Sequence, residues 1–207
     1  MHDQRGALWQ MRTAQKPDLD QVVSVHMASF PGFFLTFLGP RFLRLFYESL
    51  NSDKGGVLLV VELDGRIVGF VAGVTQQSGF YGRLIRRRIW AFALAATSAI
   101  SRRPTIVVRL TRALGKARDR GPVAAACLMS IAVRPESASL GLGARLVEGF
   151  SEEMGRHGVD RYCLTTDRDG NDRVNAFYQR LGFFVSRTYR TPEGRWMNEY
   201  VKELEEK

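Results

Sequence analysis

Cys127-Leu128-Met129-Ser130-Ile131-Ala132-Val133 is an apolar run of strand length, stopped by Arg134-Pro135. Ser139-Leu140-Gly141-Leu142-Gly143-Ala144 follows closely, so the strand runs through glycines into a helix whose apolar positions Leu142, Leu146, Phe150 and Met154 recur every four residues. Glycine has no Cβ and lets the backbone come close to a ligand, and the first turn of a helix carries N–H groups without carbonyl partners. With the helix dipole, such amides form a phosphate site that needs no cationic side chain. Read alone, the same glycines also fit a plain tight strand-to-helix turn.

The next stretch separates these readings. Arg161-Tyr162-Cys163-Leu164-Thr165-Thr166 has the character of a second strand, and Asp169-Gly170-Asn171 turns into a helix carrying Val174, Phe177, Tyr178 and Leu181, which ends at Gly182-Phe183. Here the chain resembles the GNAT superfamily of N-acetyltransferases, which pairs a Q/R-x-x-G-x-G/A loop with a later N-x-x-A-x-x-(F/L)-Y-x-x-x-G-F segment. Asn171, Phe177, Tyr178, Gly182 and Phe183 match the second segment, with Val174 where alanine is usual. Gly141 and Gly143 match the first, but Ala138 stands where the family has Gln or Arg, which removes a side-chain donor and leaves the backbone amides.

The resemblance implies an acetyl-CoA-dependent enzyme in which an amine attacks the thioester directly. It places the CoA pyrophosphate on the amides of Leu140, Gly141, Leu142, Gly143 and Ala144, and the pantetheine arm along the strand edge at Ile131, Ala132 and Val133. Asn171 would also touch the cofactor. Tyr178 would protonate the departing thiolate, a task that suits a phenol because it stays protonated at neutral pH. The competing role for Tyr178 is a core aromatic on the face of Val174 and Phe177. Many relatives carry a basic glutamate on the strand before the loop, where this chain has Cys127. The nearest glutamates, Glu136 and Glu148, lie on the loop and the helix surface, so the base comes from elsewhere or a water chain serves; His26, whose ordinary pKa suits base chemistry, is a candidate, against the plainer role of a packed histidine near the end of the first helix.

The rest of the chain fits one domain, 1–207, in the α/β (α+β) class: a mixed, mostly antiparallel twisted sheet with helices on both faces. Trp9–Thr13 reads as a strand, Asp18 as the N-cap of a helix over Leu19–Phe30, and Pro40 as the first turn of a helix through Phe42, Leu45, Phe46 and Ser49. Gly55–Val74 is a hairpin turning at Asp64-Gly65, and the last strands begin near Phe184 and Trp196. Phe30, Phe33, Phe34 and Tyr81 are placed to frame an acceptor pocket.

A basic helical insertion spans about 80–121. Between Arg83 and Arg120 eleven basic residues face one acid, a local charge of +10, so the remainder of a chain with net charge +9 sums to −1. A solvated helical hairpin covering a sheet edge or making a homodimer contact would account for it. So would an anionic acceptor, or peripheral contact with an anionic membrane surface. Nucleic acid fits less well, because Trp90 and Phe92 are nearly the only interleaved aromatics. The apolar run Ile89–Ile100 has 12 residues, short of the ~20 that span a bilayer, and Met1–Arg5 lacks a signal-like apolar core. Two cysteines in neighbouring strands and three histidines outside any metal-binding motif point to a cytoplasmic, reducing setting without a metal. The expected activity is acetyl transfer from acetyl-CoA to a primary amine of a small molecule such as an amino sugar or sugar nucleotide. A peptide or protein N-acetyltransferase, or a non-catalytic acyl-CoA sensor or membrane adaptor, are the alternatives.

Overall fold

In the computed structural model the described residues are 9–80, 82, 91–92 and 124–204, so Tyr81 and the basic insertion apart from 80, 82 and 91–92 lie outside them. Among the described residues seven strands form one sheet in the order β1-β2-β3-β4-β5-β7-β6. They are β1 (Trp9–Thr13), β2 (Gly56–Leu63), β3 (Arg66–Val74), β4 (Ala126–Val133), β5 (Arg161–Asp167), β6 (Phe184–Arg190) and β7 (Trp196–Glu203). All neighbours are antiparallel except β4 and β5. The hairpin turns at Asp64 and Gly65 with both φ angles positive, 50° and 76°, the twist that a two-residue connection between right-twisted strands requires.

Among the described residues five helices pack with the sheet: α1 (Leu19–Ser29), a short α2 (Phe34–Phe37), α3 (Pro40–Asn51), α4 (Leu142–Arg156) and α5 (Asp172–Arg180). On one face α1 and α3 bury Val22, Val25, Leu43, Phe46 and Tyr47 against Leu58, Val60, Phe70 and Ala72. On the other, α4 lays Leu142, Leu146, Val147, Phe150 and Met154 on Val57, Val71 and Leu128. The four-residue spacing of α4 therefore becomes one buried stripe. In α3 the buried stripe is Phe42, Leu43, Phe46, Tyr47 and Leu50, leaving Leu45 and Ser49 only part-buried at its margin.

Asp18 precedes α1 as expected but does not cap it. Its carboxylate instead takes two hydrogen bonds from Arg12, at 2.5 and 3.1 Å, and one from the Gln15 amide at 2.7 Å. Those bonds, Arg12's first, hold the Asp18 carboxyl below its usual range. Arg12 also reaches Glu62 at 2.9 Å, which ties β1 and β2 to the start of α1.

Gly73 lets three layers meet. A Cβ there would lie 2.4 Å from the Cys127 carbonyl oxygen and 2.5 Å from the Phe150 ring, distances that force β3, β4 or α4 to move. Gly73→Ala should therefore lower unfolding stability by about 1–3 kcal/mol in urea denaturation. A change within about 0.5 kcal/mol would show that the contact relaxes freely.

Candidate active site

The parallel pairing of β4 and β5 is short: Ala126 pairs with Tyr162 and Cys127 with Cys163, and no further pair follows. Two residues on, Met129 is an extra residue in β4, since Ala72 of β3 faces Ser130 while Gly73 faces Leu128. A bulge bends its strand. It turns β4 where β5 lets go, and the two strands open into a fork. The cleft in the fork has a volume of about 860 Å³. Met129, Ser130, Ile131, Ala132 and Val133 form one wall and Leu164, Thr165, Thr166 and Asp167 the other.

At one end lies the glycine loop. A 3-10 turn (Pro135–Leu140), absent from the sequence expectation, carries the chain from β4 to Gly141, which begins α4 in the left-handed region at φ 69°. No side chain caps α4, so the first-turn amides of Leu142 and Gly143 have no protein partner of the capping kind. The Ala144 amide differs from expectation, because it already donates to the Gly141 carbonyl at 3.2 Å. Gly141, Gly143, Ala144 and Ala138 line the cleft. The side chain of Leu142 turns into the core and that of Leu140 packs against it, so these two offer only backbone. A phosphate group fits this end: the amides are uncapped, and the space where a Gly141 Cβ would stand is open. On the strand wall, the Val133 carbonyl is taken by Ser29 Oγ at 3.2 Å.

The Asn-to-Tyr helix closes the other side. Tyr178 lines the cleft with 6% of its surface exposed, its ring set edge-on against Phe177 and Phe183 at 5.2 and 5.4 Å. Burial pushes its hydroxyl up to about 12. Asn171 lines the cleft too, while its Nδ2 donates to Thr166 Oγ1 at 2.8 Å and to the Asp167 carbonyl at 3.2 Å. Val174, expected inward, is 38% exposed at the cleft mouth.

Asn175 was not singled out from the sequence, yet it is the hub of this corner. Its Nδ2 donates to the carbonyls of Asp167, Arg168 and Asn171, and its Oδ1 accepts from Asn198 Nδ2 and Tyr200 Oη at 3.2 and 2.9 Å. The available signal was a helix-disfavoured asparagine inside α5, four residues after Asn171. Asp167 and Arg195 form a bidentate pair at the lip, at 2.9 and 2.5 Å.

His26 lines the cleft from α1 and is 3% exposed. Its Nδ1 lies 2.7 Å from Tyr47 Oη, its Nε2 is buried without a partner, and burial lowers its pKa to about 4. Beyond it stand Phe30 and Phe33, edge to face at 5.2 Å, with Leu35. Cys127 is a buried free thiol, and its hydrogen bond with Cys163 together with burial pushes its thiol up. Among the described residues no cluster of His, Cys, Asp and Glu could hold a metal ion, and no helix is long and apolar enough to cross a membrane.

The profile of the Acetyltransferase (GNAT) family matches residues 19–183, most of the chain. The chain belongs to the GNAT acetyltransferase family. It is an acyl-CoA-dependent N-acetyltransferase with acetyl-CoA as cosubstrate. Solved GNAT structures share its fold. The ribosomal-protein-S18-alanine N-acetyltransferase of Escherichia coli aligns at 14% identity and TM-score 0.58, over 97% of this chain and 96% of that one. Aminoglycoside 6'-acetyltransferase type Ii aligns at 12% and 0.62, over 96% and 99%. An N-acetyltransferase of Thermoplasma acidophilum, solved in complex with coenzyme A, aligns at 13% and 0.53, over 95% and 99%. No curated protein sequence matches.

If Asn175 holds the GNAT fork's closing helix in place, Asn175→Ala should cost about 1–3 kcal/mol by leaving buried polar groups unpaired. It should also weaken acetyl-CoA binding measured by calorimetry. Unchanged affinity would separate the hub from the cofactor site.

Proposed function

We propose that this GNAT enzyme acetylates the primary amine of a small molecule, with an amino sugar or sugar nucleotide as the favoured class. The observation that carries the reading is the apolar, aromatic lining that Phe30, Phe33 and Leu35 give the cleft beside Met129 and Ser130. An aromatic wall suits the apolar face of a sugar ring. The charge of segment 83–120 would favour an acceptor that also carries phosphate. A peptide amine needs a longer open groove, and such acceptors are the main competing class.

In this proposal acetyl-CoA supplies the activated acetyl group, with its pyrophosphate at the amides of Gly141 to Gly143 and its pantetheine arm between β4 and β5. Ile131, Ala132 and Val133 present the strand edge that would align the arm, and Asn171 braces the β5 end of the slot. Tyr178 holds a proton at Oη and delivers it to the leaving sulfur. Its hydroxyl, pushed up to about 12, remains protonated across the working range of pH. Cys127 serves no base role, since a buried thiol held high does not accept a proton from an ammonium group.

Tyr178→Phe should slow turnover by about 10²–10⁴-fold while acetyl-CoA affinity stays the same. Turnover equal to that of the unmodified enzyme would remove Tyr178 from the chemistry. A thiol-release assay over amino sugars, sugar nucleotides, polyamines and peptides tests the acceptor class. Release with peptides alone would reject the small-molecule reading, and no release with any amine despite tight acetyl-CoA binding would favour a sensor.

A further inference from the structure

His26 sits at the cleft's acceptor end as part of a buried chain of polar groups. Tyr47, on α3, is wholly buried, and its hydroxyl bonds both His26 Nδ1, at 2.7 Å, and the side chain of Ser130 on β4. A phenol is a better donor than acceptor, so Tyr47 Oη–H donates to the Nδ1 lone pair while Ser130 donates to Tyr47 Oη. The chain then runs in one direction, each bond polarising the next: Ser130 to Tyr47 to His26. In that arrangement the one imidazole proton sits on Nε2, the nitrogen without a protein partner in a residue only 3% exposed. An orphaned N–H in such a place costs free energy until an acceptor arrives.

We infer that His26 is a specificity residue whose Nε2–H donates to an uncharged oxygen, a hydroxyl or ring oxygen of the amine acceptor, and that it is not the base of the reaction. The inference rests on the small-molecule reading above. Two observations set the ligand chemistry. The ring lies among Phe30, at 4.9 Å, and Phe70, at 6.4 Å, an apolar setting that disfavours imidazolium. With Tyr47 Oη–H donating to Nδ1 across their 2.7 Å bond, Nε2 carries the ring's proton and has no lone pair with which to take one from an ammonium. His26 lies on α1, on the sheet face where Phe30 and Leu35 pack, whereas Leu140, Leu142 and Phe177 pack on the α4 face, so the oxygen belongs to the acceptor and not to the thioester.

Glucosamine and cyclohexylamine, a six-membered ring amine with and without oxygens, are the probes. In His26→Phe the preference in kcat/KM for glucosamine over cyclohexylamine should fall about tenfold, the worth of one hydrogen bond, with the KM for acetyl-CoA unchanged. His26→Gln, which keeps an N–H donor, should recover part of that preference. If turnover instead drops by roughly a hundredfold or more for both amines, with a shifted acid limb in the pH profile, His26 is the base and the inference is overturned. Imidazole ¹⁵N NMR of the unmodified protein is independent of folding defects in the variants. Its expected result at neutral pH is an uncharged ring protonated at Nε2, with that resonance moved by glucosamine and not by cyclohexylamine in the presence of CoA. A proton on Nδ1, or an Nε2 signal indifferent to glucosamine, would overturn it. If neither amine is acetylated, the acceptor class fails while the tautomer still decides the role of His26.

Discussion

The parallel pairing of β4 and β5 stops after Cys127 and Cys163, and the cleft exists because of that stop. A sheet that loses a ladder in its middle exposes backbone donors and acceptors on two strands, a cost borne only where something else satisfies them. Two devices keep the opening from closing. The Met129 bulge bends β4 while β3 holds its other edge, and the bonds of Asn171 and Asn175 anchor the far end of β5 to α5. The strands cannot zip up without breaking one or the other. The fork is therefore a built feature of the packed sheet, and its free edges await an extended ligand that carries amide groups.

The two faces of the sheet divide the labour. On the α4 side, Phe150, Tyr162, Tyr178, Phe183 and Tyr200 form a buried aromatic block, with Phe150, Tyr162 and Phe183 set edge to face at 5.1 and 5.5 Å. That block fixes the tilt of Tyr178 by packing, while Tyr162 is held by Ser151 at 2.8 Å. On the α1 and α3 side the core contains polar groups, Tyr47 and His26, that run up to the cleft wall. One face thus packs a buried aromatic block behind the glycine loop, and the other brings the bonded pair His26 and Tyr47 up to the cleft.

Much of this was legible in the sequence for local reasons. Strand β1, the hairpin turn, the buried stripe of α4 and the starts of β6 and β7 rest on periodicity and turn chemistry, and they appear where those rules put them. The family follows from two motifs at fixed spacing. What stayed hidden depends on pairing between distant segments. The bulge at Met129 is defined only by its partner strand, since nothing in Leu128-Met129-Ser130 marks it. Asp18 has the residue type of an N-cap, yet Arg12 six residues earlier, a neighbour only through the fold, draws its carboxylate away. Asn175 bonds across 23 and 25 residues to Asn198 and Tyr200, a range no helical pattern reports.

Proton accounting joins the site to its surroundings. Direct transfer requires an uncharged amine, whereas a free primary amine is protonated at neutral pH. Among the described residues lining the acceptor end, none is an unpaired carboxylate: Asp167 is neutralised by Arg195, and His26 is neutral. An ammonium group entering this apolar, aromatic end exchanges water for groups that do not stabilise its charge, and desolvation lowers its pKa. On the proposed mechanism that desolvation favours loss of the amine's proton to solvent on entry. Burial thus acts on two titrations in opposite directions, raising that of Tyr178 in its aromatic block and lowering that of an amine desolvated beside Phe30 and Phe33, which on the proposed mechanism leaves an acid that holds its proton and a nucleophile that does not.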